Sequence, residues 1–217
     1  GNAGITSFWG YCAVQLLMYI EYGTFDIQTA LGKGIVDLPA GEDFAGKLTG
    51  ADNIDARLAE NGTGVGSGIN GKTPVTWRGI ENPYGNVWKF IIGANVDPNG
   101  DFRVIRRDGL GTLAGTLAAG SYESGSGMVT TTGYISGLLH GDLEGLAFLP
   151  SAASGSSSTY LADNWTACTA NGNILDAGGS WRHARAAGPG CRSAYGGPAF
   201  SDKNVCARVE FRPSQGV

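Results

Sequence analysis

The chain is predicted to fold as an α+β protein, with one or two helices packed on small twisted antiparallel sheets and long irregular loops. Three observations lead there. One long apolar segment with capping residues stands near the start, and short aromatic and β-branched runs recur after residue 75. Glycine fills 37 of 217 positions while proline stays at eight, which demands many tight turns without a collagen repeat. The 42% hydrophobic content supports a core and excludes a disordered chain. No break in composition divides the chain, so residues 1–217 are read as one domain.

The first element is a helix from Phe8 to Tyr22, with Ser7 as its N-cap and Gly23 as its left-handed stop. Apolar residues run round most of its circumference, which predicts burial on more than one side. A weaker helical segment covers Asp26 to Leu31 and ends at Gly32. Gly41 to Lys72 reads as loop. Strands are predicted at Val75–Trp77, Val87–Ile92 and Phe102–Ile105, the last two joined by an Asp97-Pro98-Asn99-Gly100 hairpin turn. A polar stretch, Ser151 to Thr159, precedes Tyr160–Ala162 and Trp165, and a final strand runs from Val205 to Phe211.

Several function classes fall away on composition and spacing. A net charge of −4 lacks the electrostatic footprint of a nucleic-acid binder. The longest apolar run, Ala13 to Ile20, is broken by Gln15 and is far shorter than the ~20 residues that span a bilayer, so no membrane insertion is expected. The start at Gly1, with no charged leader, predicts a mature or excised fragment. Gly66 to Thr73 matches a phosphate-binding loop by letter, and Gly66 to Gly71 a dinucleotide fingerprint. Neither has the preceding strand and following helix that converge N–H groups on phosphate. Asp97, Asn99 and Asp101 open like a calcium loop, but Phe102 replaces the turn glycine and Asp108 the closing glutamate. Only His140 and His183 are present, the four cysteines (Cys12, Cys168, Cys191, Cys206) form no C-x-x-C pair, and there is no serine-hydrolase elbow. No catalytic residue, metal site or cofactor is therefore expected; the cysteines read as free thiols, with three pairings open in an oxidising compartment.

The informative region lies near the C-terminus. Gly178 and Gly179 before Trp181 predict close backbone approach under a loop anchored by a large aromatic. From Arg182 to Asn204 neither a helical nor a strand period is present. Arginine, tyrosine, serine and histidine there stand in a Gly/Ala/Pro framework, a mix used by recognition surfaces.

Gly178-Gly179-Ser180-Trp181 and Val205-Cys206-Ala207-Arg208-Val209 resemble the variable proteins of diversity-generating retroelements, which display hypervariable residues on a C-type lectin fold. Trp77-Arg78-Gly79-Ile80-Glu81-Asn82-Pro83-Tyr84-Gly85-Asn86-Val87-Trp88 and the helix end Glu21-Tyr22-Gly23-Thr24 fit the same group and its formylglycine-generating-enzyme-like branch. The resemblance spans about Gly10 to Phe211. It implies a C-type lectin-like domain whose segment 182–204 binds a ligand, with Arg182, His183, Arg185, Gly190, Arg192, Ser193, Tyr195 and Gly196 as variable positions. Gly178, Gly179 and Trp181 are the implied scaffold of the site, and Pro189, Ala207 and Arg208 fixed framework; Cys206 stands where the family has glycine. The implied partner is a surface protein or other macromolecule of a host or neighbouring cell. The implied location is a virion surface, the cell surface or the extracellular space.

Two alternatives carry different expectations. The enzyme branch resembles a copper oxidase that uses two cysteines five residues apart. Cys191 fits the second, but Ala186 stands at the first, and copper(I) prefers two thiolates. The plainer alternative makes 182–204 a solvated loop on a structural spacer of a tail or surface protein.

Overall fold

The computed structural model describes residues 2–39, 71–72, 74–97, 99–105, 122–139, 148–167 and 173–212. The loop predicted up to Lys72, most of the phosphate-loop match, His140, Cys168, Pro98 and Asp108 lie outside the described residues. The architecture is mixed α+β, with small two-stranded sheets beside one larger sheet.

Ser7 opens helix α1 (Phe8–Tyr22), its Oγ accepting from Gly10 N at 3.0 Å, and Gly23 at φ +63° closes it. The buried positions Phe8, Tyr11, Cys12, Gln15, Met18 and Tyr19 recur every three or four residues and form one stripe. The expected burial on several sides is corrected here: Ile20 is 67% exposed, and Leu16 and Leu17 are exposed as well. Helix α2 (Ile27–Ala30) is a single turn, opened by Asp26 accepting from Thr29 N at 3.1 Å.

The chain starts with β1 (Asn2–Ile5), which pairs with the last strand, β14 (Val209–Arg212). The single closing strand predicted from Val205 to Phe211 is two strands. β13 (Val205–Ala207) runs parallel to the long strand β4 (Trp88–Val96), and the chain then crosses at Arg208 into β14. Glu210 accepts from Ser7 N at 2.8 Å, so the terminal ribbon also grips the start of α1.

The β2 (Thr76–Trp77) and β3 (Ile80–Glu81) hairpin turns on Arg78 (φ +48°) and Gly79 (φ +78°), the two positive-φ residues of a tight primed turn. The other small sheet pairs β8 (Gly137–Leu138) with β9 (Pro150–Ala152). The larger sheet adds β5 (Asp101–Ile105), β6 (Tyr122–Gly127), β7 (Gly133–Tyr134), β10 (Asn164–Thr166), β11 (Ile174–Ala177) and β12 (Arg192–Ser193). Its order is β6-β5-β4-β11-β12-β10-β7, with β13 against β4. It departs from the expected antiparallel pattern at two places, β10 with β12 and β13 with β4, both parallel.

The predicted hairpin joins β4 to β5. Asp97 Oδ1 accepts from Asn99 N and Asp101 N at 2.8 and 3.0 Å, and Oδ2 from Arg103 Nη2 at 2.6 Å. The calcium-like spacing is thus spent on turn amides and an arginine. Helix α1 packs Phe8, Tyr11 and Cys12 on Ile91, Leu175, Ala177 and Trp165 of the larger sheet. Truncating a fully buried aromatic such as Trp165 costs about 3–5 kcal/mol.

Candidate functional site

The site follows from strand parity. Successive residues of a strand face opposite sides, and residues in register share a side. Register places Trp165, Arg192, Ala177, Lys89 and Cys206 in one row across β10, β12, β11, β4 and β13. The adjacent row is Thr166, Ser193, Asp176 and Phe90. The first faces helix α1. The second faces away from it.

On the helix side, Arg192 is 0% exposed. Its guanidinium lies 4.6 Å from the Tyr11 ring centroid, donates to Gln15 Oε1, and reaches the carbonyl oxygens of Pro189 and Cys191 at 2.7 and 3.1 Å. Gln15 in turn donates to Tyr19 Oη at 3.1 Å. Beside them Asp163, fully buried, accepts from Gly190 N at 2.6 Å. Burial pushes the Asp163 carboxyl up to about 7, against the pull of the Gly190 N–H and Arg192. Lys89 donates to Gly85 O at 2.7 Å, and burial, with Arg208 nearby, brings it down to about 7. This polar cluster fixes residues 188–193 from below.

The far side carries an open cavity of about 320 Å³. Thr166, Ser193 and Asp176 form its floor. Trp88 and His183 make one wall, packed edge to face at 4.8 Å, and Tyr195 and Phe200 another, at 5.9 Å. Asp202 and Asn204 stand at the rim. Asp176 is 3% exposed, and desolvation pushes its carboxyl up to about 8. His183 Nδ1 accepts from Ser180 N at 3.1 Å and burial lowers the ring's pKa, so the neutral ring keeps its proton on Nε2. A second hollow, about 280 Å³, opens over Tyr11, Val14 and Ile80, and none of the eight positions expected to vary lines it among the described residues.

The close backbone approach expected at Gly178 and Gly179 is present. Gly178 and Gly179 take positive φ (+90° and +75°), and a Cβ on Gly179 would lie 2.8 Å from that of Ala187. Gly85 N donates to Gly178 O at 2.9 Å and Trp181 N to Asn86 O at 2.9 Å, so the two motif stretches meet. Trp181 itself is buried.

The eight positions expected to vary divide. Arg182 is exposed, 6.0 Å from the Trp181 ring centroid, and Tyr195 is 62% exposed. His183 and Arg185 are half-buried. Arg185 forms a two-pronged ion pair with Asp26 (Nη1 to Oδ1 2.5 Å). Burial would raise Asp26, but the Arg185 and Thr29 hydrogen bonds override it and hold the carboxyl low. Ser193 is buried yet lines the cavity. The expectation of solvent-facing side chains is corrected for Arg192, Gly190 and Gly196, all buried. Arg192 turns inward because it is the alternate residue to Ser193 on β12. A Cβ at Gly190 would stand 2.7 Å from Tyr19 Oη and 2.8 Å from Asp163 Oδ2.

Sequence reasoning missed Asp176, Trp88, Asp163 and Gln28 as parts of the site. Gln28 Nε2 donates to Ala184 O and Ala187 O (2.8 and 2.5 Å), so α2 clamps the single 3-10 turn Ala184–Ala186. Two signals were available: a glutamine inside an apolar run (Gln15), and an aspartate inside Ile174–Ala177. Each marks a polar group that must be satisfied or used. Cys12, Cys191 and Cys206 are free thiols, and burial pushes each of them up in pKa. Among the described residues no helix is long and apolar enough to cross a membrane.

No known protein family matches the chain, and no curated protein matches its sequence.

Proposed function

We propose that the chain is a ligand-binding protein of the diversity-generating-retroelement type, built on a C-type lectin-like fold, that presents replaceable side chains to a macromolecular partner from a virion or cell surface. The observation that carries this reading is the clustering of His183, Ser193 and Tyr195 around one cavity, with Arg182 exposed next to His183 in the chain and the base of the loop held by Gly178, Gly179 and Trp181. A surface whose side chains can change while its base is held by backbone bonds and buried aromatics suits partner exchange. Affinity in such a surface resides in a few aromatic and arginine anchors. Tyr195 and Arg182 have that chemistry and exposure.

The test is genetic. Copies of the gene from sibling genomes should differ at clustered adenine positions in the codons of Arg182, His183, Arg185, Ser193 and Tyr195, while those of Gly190 and Arg192 stay fixed. Uniform drift along the chain would favour a structural spacer instead.

A further inference from the structure

We infer that the cavity between Trp88, Tyr195 and Asp176 receives a cationic side chain of the partner, a lysine ammonium or arginine guanidinium, with Asp176 as its counter-ion. The inference deepens the ligand-binding reading and rests on it only in taking the partner to be a protein.

Two buried oxygens support it. Asp176 and Asn204 both line this cavity, and each holds a buried side-chain oxygen, Oδ1, without a hydrogen-bond partner among the described residues. An acceptor buried without a donor costs roughly 1–3 kcal/mol. Two in one cavity call for a group that brings several N–H donors, which ammonium and guanidinium do. Asp202 at the rim adds a second carboxyl side chain, and among the described residues no lysine or arginine lines the cavity to compete.

The walls suit the same group. Trp88 and Tyr195 supply aromatic and apolar lining, which suits a cation and its methylene stem. The neutral His183 adds no repelling charge. Asp176 is fixed by its place in the sheet, opposite Ser193 on one side and Phe90 on the other, so it is preorganised. An anionic ligand would meet two carboxyl side chains, Asp176 and Asp202, and no cationic side chain among the described lining residues.

Binding should also take up the proton question. With Asp176 raised to about 8 by burial, an incoming cation must ionise it and release its proton. The other ionisable groups facing the cavity are His183 from the 3-10 turn and Tyr195 and Asp202 from the stretch after β12. His183 stays neutral above its ordinary range, which leaves the window from pH 6.5 to 8 to Asp176.

The experiment titrates the whole chain with Nα-acetyl-lysine amide, Nα-acetyl-arginine amide and uncharged Nα-acetyl-norleucine amide, followed by NMR of the Trp88 indole. One or both cationic probes should bind at least tenfold more tightly than the norleucine probe. Their affinity should rise several-fold from pH 6.5 to 8, and Asp176→Asn should reduce it at least tenfold. The asparagine variant is expected to stay folded, because a buried neutral amide costs less than a buried carboxylate; the pH series on the unaltered chain gives a second readout that needs no variant. Equal binding of the norleucine probe, affinity that does not change with pH, or no shift at saturating millimolar probe would overturn the assignment. None of these outcomes touches the gene-copy comparison, which tests the display reading separately.

Discussion

Gly190 shows at a single residue why the C-terminal segment is not uniformly replaceable. Its N–H is bonded to Asp163 Oδ2 at 2.6 Å, and its missing Cβ leaves room for Tyr19 Oη. Gly190→Ala would push into both oxygens and should lower unfolding free energy by about 1–3 kcal/mol, as overpacking does. Urea unfolding checks this; a loss below about 0.5 kcal/mol would mean that the cluster yields. Arg185 is the contrasting case. Its ion pair with Asp26 lies in water's reach, where such pairs are worth about 0.2–1 kcal/mol, so replacement there is cheap.

At the scale of elements, α1 was legible because its information is local: Ser7 caps it, Gly23 stops it, and the run between them is long, mostly apolar and free of proline. Ser7→Ala should cost about 1 kcal/mol by removing the bond to Gly10 N, and the thermal midpoint should fall accordingly; an unchanged midpoint would show that the Glu210 contact alone holds the turn. β12 was not legible. A strand of two residues has no period to read, and its direction is set by β10 and β11, which arrive from elsewhere in the chain. For the same reason the sequence offered no means to separate Arg192 from Ser193, although one points to the helix and the other to the cavity. β1 and the break at Arg208 were hidden too, since they exist only because the two ends of the chain pair. The glycine pair 178–179 and Trp181 were readable, as left-handed backbone and a large aromatic leave a mark in composition that does not depend on partners.

Among the described residues, Asp163, Asp176 and Lys89 carry the large shifts that govern the pH response between pH 4 and 10, and the smaller lowering at His183 opposes the two carboxyls. Asp163 and Asp176 have folded pKa values of about 7 and 8, above the ordinary 3.8. Between pH 4 and 7 the native chain therefore holds protons that the unfolded chain has lost, and stability falls as pH rises, by at most about 1.4 kcal/mol per unit for each group. Lys89 acts in the opposite sense. Its pKa drops from 10.5 to about 7, so above pH 7 the unfolded chain holds the extra proton and stability recovers. Unfolding midpoints should thus reach a minimum near pH 7–8, and Asp176→Asn should flatten the acid-side slope. A midpoint that climbs steadily from pH 5 to 8 would contradict this balance.

The division of segment 182–204 into an outward set and an inward anchor is tested most directly by paired urea titrations. Arg182→Ala combined with Tyr195→Ala should shift unfolding free energy by less than about 1 kcal/mol, as surface changes do. Arg192→Ala alone, which strips donors from Gln15, Pro189 and Cys191 in a dry interior, should cost about 3 kcal/mol or more. If the double substitution costs as much as the single one, or Arg192→Ala is harmless, the segment is not built as described.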